Sequence, residues 1–156
     1  METVLSVTNL SKLFPVKRGS LFSRKRQFIH AVDGVSFEVK KGETFGIVGE
    51  SGCGKTTLAR LILRLEEPTG GKVFFKDQDI SLPSSSEMKR LRRQIQMIFQ
   101  DPYSSLDPRK NILNIVAEPI RVHNIARNGS VIKEKVQETL GLVDLPTSES
   151  FMAKMP

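Results

Sequence analysis

The residues with the clearest chemical potential form one run, Gly49-Glu50-Ser51-Gly52-Cys53-Gly54-Lys55-Thr56. It matches G-x-x-x-x-G-K-[ST] at every fixed position. Glycines let successive backbone N–H groups turn toward one point and form an anion nest. A helix beginning near Lys55 aims the positive end of its dipole at the same point. The Lys55 ammonium neutralises β- and γ-phosphate charge, and the Thr56 hydroxyl is a hard oxygen ligand for Mg²⁺. From average residue usage, a chance match in a chain of this length has a probability of roughly 0.5%. The run therefore reads as a phosphate-binding loop. Alone it does not choose among kinases, GTPases, motor ATPases and transporters.

The flanking sequence supplies elements to hold that loop. Thr44 to Val48 is a short apolar run without polar alternation, the pattern of a buried parallel strand. After the loop, Leu58, Leu61, Ile62 and Leu65 recur at helical spacing and predict a helix over Lys55 to Leu65. Ile95 to Phe99 predicts a second central strand. Earlier, Val4 to Thr8 and Val35 to Val39 alternate as half-buried strands, while Asp33-Gly34 and Lys41-Gly42 read as turns. Pro15 to Arg26 reads as a loop, and Pro68, Gly70 and Gly71 punctuate the chain before a strand at Val73 to Phe75. Ser84-Ser85-Ser86 can cap a helix running through Leu91. Past a loop from Pro102 to Pro108, a helix over Ile112 to Val122 is made irregular by Pro119. Ser130 caps a further helix, with Ile132, Val136, Leu140 and Val143 on one stripe and Gly141 near its end. The tail from Phe151 to Pro156 shows no closing element, and no internal repeat is visible.

Composition bounds the function classes. The 156 residues are 38% hydrophobic, enough for a globular core. No apolar run approaches the roughly 18 residues of a membrane-spanning helix. The opening Met1-Glu2-Thr3-Val4-Leu5 lacks the pattern of a secretory leader. The single cysteine, Cys53, excludes an internal disulfide and a cysteine-rich zinc site. A cytosolic protein is expected. The net charge of +7 comes largely from two clusters: Lys17, Arg18, Arg24, Lys25, Arg26, and Lys89, Arg90, Arg92, Arg93. Such clusters can bind nucleic acid or anionic lipid, but a solvated loop and helix face is the simpler reading. Cys53 reads as a small filler of the loop, and Met97, Met152 and Met155 as packing residues. Asp77, Asp79 and Glu87 do not end a central strand and read as solvated rather than as Mg²⁺ ligands.

Two blocks narrow the choice. One is Ala31-Val32-Asp33-Gly34-Val35-Ser36-Phe37, Gly42-Glu43-Thr44 and Gly46 through Arg60; the other is Ile95-Gln96-Met97-Ile98-Phe99-Gln100-Asp101-Pro102-Tyr103-Ser104-Ser105-Leu106-Asp107-Pro108-Arg109. Together they resemble the ABC ATPases of di- and oligopeptide importers, a pattern that nickel importers largely share. The resemblance covers nearly the whole chain. It implies an α/β fold: an ABC ATPase P-loop core with an N-terminal antiparallel β region over residues 1–106, and the beginning of an α-helical subdomain over 107–156. It implies ATP and Mg²⁺ as ligands. Gly49, Glu50, Ser51, Gly52, Cys53, Gly54, Lys55, Thr56 and Thr57 would hold the phosphates, with Thr56 and Gln100 at the metal. Gln100 would also position the attacking water, and Phe14 would stack on adenine. The implied partners are membrane permease subunits and a second ATPase subunit, on the cytoplasmic face of the cell membrane. Nucleic acid is not an expected partner.

There are departures. Thr56-Thr57 stands where the subfamily often has Ser-Thr, and Arg64 where a small residue is common. The family's Leu-Ser-Gly-Gly-Gln signature, its acidic Walker B strand with the catalytic Glu, and its switch histidine have no counterpart within these residues. Neither His30 nor His123 fits the switch role. Besides an importer subunit seen in its N-terminal portion, the readings are a catalytically silent truncated product, and a non-transport P-loop protein acting on nucleic acid. The Asp101-to-Arg109 block argues against the last. Losing a general base costs on the order of 10²–10⁴ in rate. These 156 residues, purified alone, are therefore expected to bind ATP without phosphate release above a Lys55→Ala control. Robust Lys55-dependent hydrolysis would contradict this.

Overall fold

The computed structural model describes residues 1–16, 27–99, 101 and 105–156. The expectations for Lys17, Arg18, Arg24, Lys25, Arg26, Gln100, Pro102, Tyr103 and Ser104 lie outside the described residues. The chain packs as two compact units, Met1–Gln96 and Met97–Pro156. Among the described residues no helix is long and apolar enough to cross a membrane.

In the first unit, strands β1 (Thr3–Val16), β2 (Gln27–Lys40), β3 (Gly70–Phe75) and β4 (Gln78–Asp79) form an antiparallel sheet in the order β2-β1-β3-β4. Both long strands are bulged. Between the pairs Leu10↔Val35 and Lys12↔Val32, β2 carries an extra residue, and Gly34 there has φ 63°. Between Val7↔Phe37 and Leu10↔Val35 the extra residue is on β1, where Asn9 has φ 47°. Serine hydroxyls satisfy the amides these bulges free. Ser36 Oγ accepts from Asn9 N at 2.8 Å, and Ser11 Oγ from Gly34 N at 2.9 Å. Asp33-Gly34, a turn by sequence, is thus a bulge inside a continuous strand.

Lys76 and Asp77 join β3 to β4 with φ 48° and 61°, the two left-handed residues of a type I′ hairpin. Asp79 then accepts from Ser81 N at 2.8 Å and pairs with Lys72 at 3.4 Å. Ser81's hydrogen bonds, and then Lys72, hold the Asp79 carboxyl below its usual value. Helix α2 (Ser85–Leu91) is capped by Ser84, as its sequence predicts, and Glu87 closes a capping box. Asp79 and Glu87 are therefore both engaged in local structure. One apolar core joins the sheet's Val7, Leu10, Val32 and Val73 to Leu58 and Leu61 of helix α1 (Lys55–Ile62), with Ile80 and Leu91. Helix α1 stops short of Leu65 because Arg64 takes a left-handed φ of 54° and its amide closes on Leu61 O at 3.0 Å.

Two expected strands do not form. Thr44 to Val48 and Ile95 to Phe99 are unpaired among the described residues. Val48 is 97% exposed and Ile98 96%. A parallel strand buried on both faces needs partner strands beside it, and the described sheet is wholly antiparallel. Phe45 instead stacks on Phe37 with ring centroids 4.8 Å apart.

The second unit is helical. Asn111 caps α3 (Ile112–Val122), which contains Pro119 as expected. The cap of α4 (Gly129–Gly141) is Asn128, not Ser130. Ser130 lies in the first turn, where its amide and hydroxyl donate to Asn128 Oδ1 at 2.9 and 2.7 Å. The tail does pack against the second unit: Ser148 caps a short α5 (Glu149–Met152) that buries Met152. Met152 joins Ala117, Ile120, Ile132, Val136 and Leu140 in a second core. Val143 falls off that stripe because α4 ends at Gly141, and Met155 is exposed rather than packed.

Gly71 has φ +82°, and a Cβ added there would meet Asn9 O at 2.3 Å. Gly71→Ala is expected to cost about 1–3 kcal/mol. The loss would register as a lower urea midpoint by circular dichroism. An unchanged midpoint would contradict this packing of β3 on β1.

Candidate phosphate-binding site

The predicted loop leads directly into α1. Gly54 is the N-cap residue with φ 98°, and Gly52 has φ 82°, conformations that residues with a Cβ adopt only under strain. No side chain caps the helix. The amides of its first turn are therefore left to a ligand or solvent. Leu58 and Leu61 anchor α1 in the core of the first unit.

Lys55 is the first helical residue. Its ammonium donates to Gly49 O at 2.7 Å and Glu50 O at 2.6 Å, and lies 3.6 Å from Cys53 Sγ. The charge is thus held at the mouth of the loop, by carbonyls that an incoming phosphate oxygen would displace. Glu50, Ser51, Gly52 and Cys53 are exposed, and Cys53 N closes the loop on Glu50 O at 3.3 Å. Cys53 also fills the space over Gly49, where a Cβ would come within 2.7 Å of its sulfur.

Gly54 has a second role that the motif does not reveal. A Cβ there would meet the backbone oxygen of Ala31, on β2, at 2.1 Å. The helix start is therefore seated directly on the bulged strand.

Thr56 is exposed in the first turn of α1 and Thr57 is half-buried. The Thr56 hydroxyl fits a Mg²⁺ ion that draws its other ligands from phosphate and water, as this ion commonly does. No cluster of three His, Cys, Asp or Glu side chains that could hold a metal exists among the described residues. Phe14 lies on β1 opposite Ile29, half-buried, with Lys12 Nζ 4.9 Å from its ring centroid. Gln100 lies outside the described residues. In the second unit, Arg109 donates to Asp107 through Nε at 3.0 Å and Nη2 at 3.3 Å. These bonds hold the Asp107 carboxyl below its usual value.

A family model described as ABC transporter matches residues 32–154. The oligopeptide transport ATP-binding protein AppF of Bacillus subtilis is 48% identical over 99% of this chain, which spans 46% of that protein. The glutathione import ATP-binding protein GsiA of Escherichia coli is 49% identical over 80% of this chain and 20% of its own length. The chain thus spans about half the length, or less, of the curated relatives it matches. Among solved structures, the ATP-binding cassette MJ0796 bound to ADP and Pi aligns with a TM-score of 0.75 at 27% identity. That alignment covers 97% of this chain and 61% of that one.

Two outcomes test the geometry. Gly54→Ala should both destabilise the first unit and weaken nucleotide binding, because the new methyl group has backbone on its far side. Full affinity in calorimetry would contradict the seat on Ala31. Cys53 should be alkylated more slowly in saturating Mg-ATP, as mass spectrometry would detect. Equal labelling with and without nucleotide would place the loop elsewhere.

Proposed function

The chain belongs to the ABC transporter family, and from that premise we propose that it binds Mg-ATP through Gly49 to Thr57 as the nucleotide-binding part of a di- or oligopeptide importer. One observation carries the binding: Lys55 holds its ammonium at the loop mouth, at the start of a helix whose position Gly54 and the core leucines fix. Phosphate oxygens would take over the contacts now made by Gly49 O and Glu50 O, and the uncapped first turn of α1 would add amide donors.

Finer roles follow on the same reading. Thr56 would supply an oxygen to Mg²⁺. Gln100 would share that ion and position water. Phe14 would offer adenine a π-face. Peptide cargo is supported by the block from Asp101 to Arg109 and by the names of relatives such as AppF. The working position would be the cytoplasmic face of the cell membrane. The partners there would be permease subunits and a second ATP-binding subunit.

Removing the Lys55 ammonium leaves phosphate charge partly uncompensated, and a charge-assisted contact is worth about 1.5–3 kcal/mol. Lys55→Ala should weaken ATP binding roughly tenfold to a hundredfold in calorimetry with Mg²⁺. Equal affinities for variant and parent would overturn the assignment.

A further inference from the structure

We infer that Lys12 is a positioning residue for the nucleotide base, coupling the Phe14 platform to the helix that carries Lys55. The inference rests on the reading of Phe14 as the surface on which adenine stacks. The Lys12 side chain is only 12% exposed, and its ammonium meets three different groups. It donates to Glu67 O at 2.7 Å, pairs with Glu66 Oε1 at 2.7 Å and sits 4.9 Å from the Phe14 ring centroid. An ammonium has three N–H donors and no acceptor. Its attraction for a ring face is strongest where water is excluded, as it largely is here.

Glu66 and Glu67 follow directly on the turn that ends α1, where Leu65 N and Glu66 N both return to Arg60 O. The same stretch is fastened to β1 at two more points. Thr69 N donates to Ser11 O at 2.8 Å, and Leu13 N donates to Thr69 Oγ1 at 3.0 Å. Residues 11 to 13 of β1 therefore clasp the C-terminal side of α1. Its N-terminal side presents Lys55. One continuous path runs from the Phe14 ring through Lys12 and the Glu66-Glu67 turn, along α1, to the phosphate lysine. The cation lies over one face of the ring. The other is the face a base would stack on, at a separation from Lys55 that this path sets.

The test compares Mg-ATP with inorganic tripolyphosphate, which has the phosphates but no base, by calorimetry on the whole chain. Lys12→Met should weaken Mg-ATP roughly threefold to tenfold. Tripolyphosphate affinity should not change, and Lys12→Arg should keep most of the ATP affinity. On a Phe14→Leu background, Lys12→Met should add no further loss. Equal weakening of both ligands would show a merely structural lysine and overturn the proposal, as would an unchanged ATP affinity. If Phe14→Leu binds ATP normally while Lys55→Ala does not, the platform reading itself fails and phosphate binding stands. Should Lys12→Met not fold by circular dichroism, Glu66→Gln carries the same comparison. A smaller loss confined to ATP supports the proposal, and none overturns it.

Discussion

The approach of Gly54 to the Ala31 carbonyl is the constraint on which the rest of the site depends. At Gly54, helix α1 meets β2 backbone to backbone, at a distance that no Cβ fits. This contact sets where the loop ends and where the orphan amides of the first turn lie. It also sets the depth at which the Lys55 side chain starts. The leucines of α1 then lock its rotation, since Leu58 and Leu61 must both reach the sheet. Loop chemistry and sheet packing are thus one requirement. A residue with a Cβ at position 54 would lift the helix off its support.

The far end of α1 is held by different physics. Directed polar contacts replace close backbone packing, and Lys12, Ser11 and Leu13 receive the turn over residues 66–69. A helix held at one end could pivot about its core leucines. Held at both, it can transmit displacement of the loop to β1.

How legible this was depends on how local each determinant is. The glycine-rich turn into α1, the Ser84 cap and the helix over Ile112–Val122 are encoded within a few residues, and the sequence predicts all three. Asp33-Gly34 was ambiguous in principle, because a left-handed glycine serves a turn and a bulge alike; pairing with β1 decided it. Asn128 and Ser130 compete for one cap, and Asn128 takes it by accepting from both the amide and the hydroxyl of Ser130. The runs Thr44–Val48 and Ile95–Phe99 have strand composition, but a strand exists only through its neighbours. Lys12 carried no motif at all. Its one sequence signal is that it lies two residues before Phe14, and so on the same face of β1. The partners that define it are more than fifty positions away.

The serine-filled bulges carry an evolutionary consequence. Ser36 Oγ stands in for a missing partner of Asn9 N, and Ser11 Oγ does the same for Gly34 N while donating to Asn9 O. Each hydroxyl is useful only while the opposite strand keeps its irregularity. Straightening one strand, by replacing Gly34 or Asn9, would strand a hydroxyl on the other and re-register the residues between. The four positions therefore form an epistatic set: single substitutions are disfavoured, while concerted replacement by a regular ladder would be tolerated only if Ala31 kept its place beneath Gly54. Lineages are expected to drift freely at exposed positions such as Thr8 while inheriting this quartet as a block.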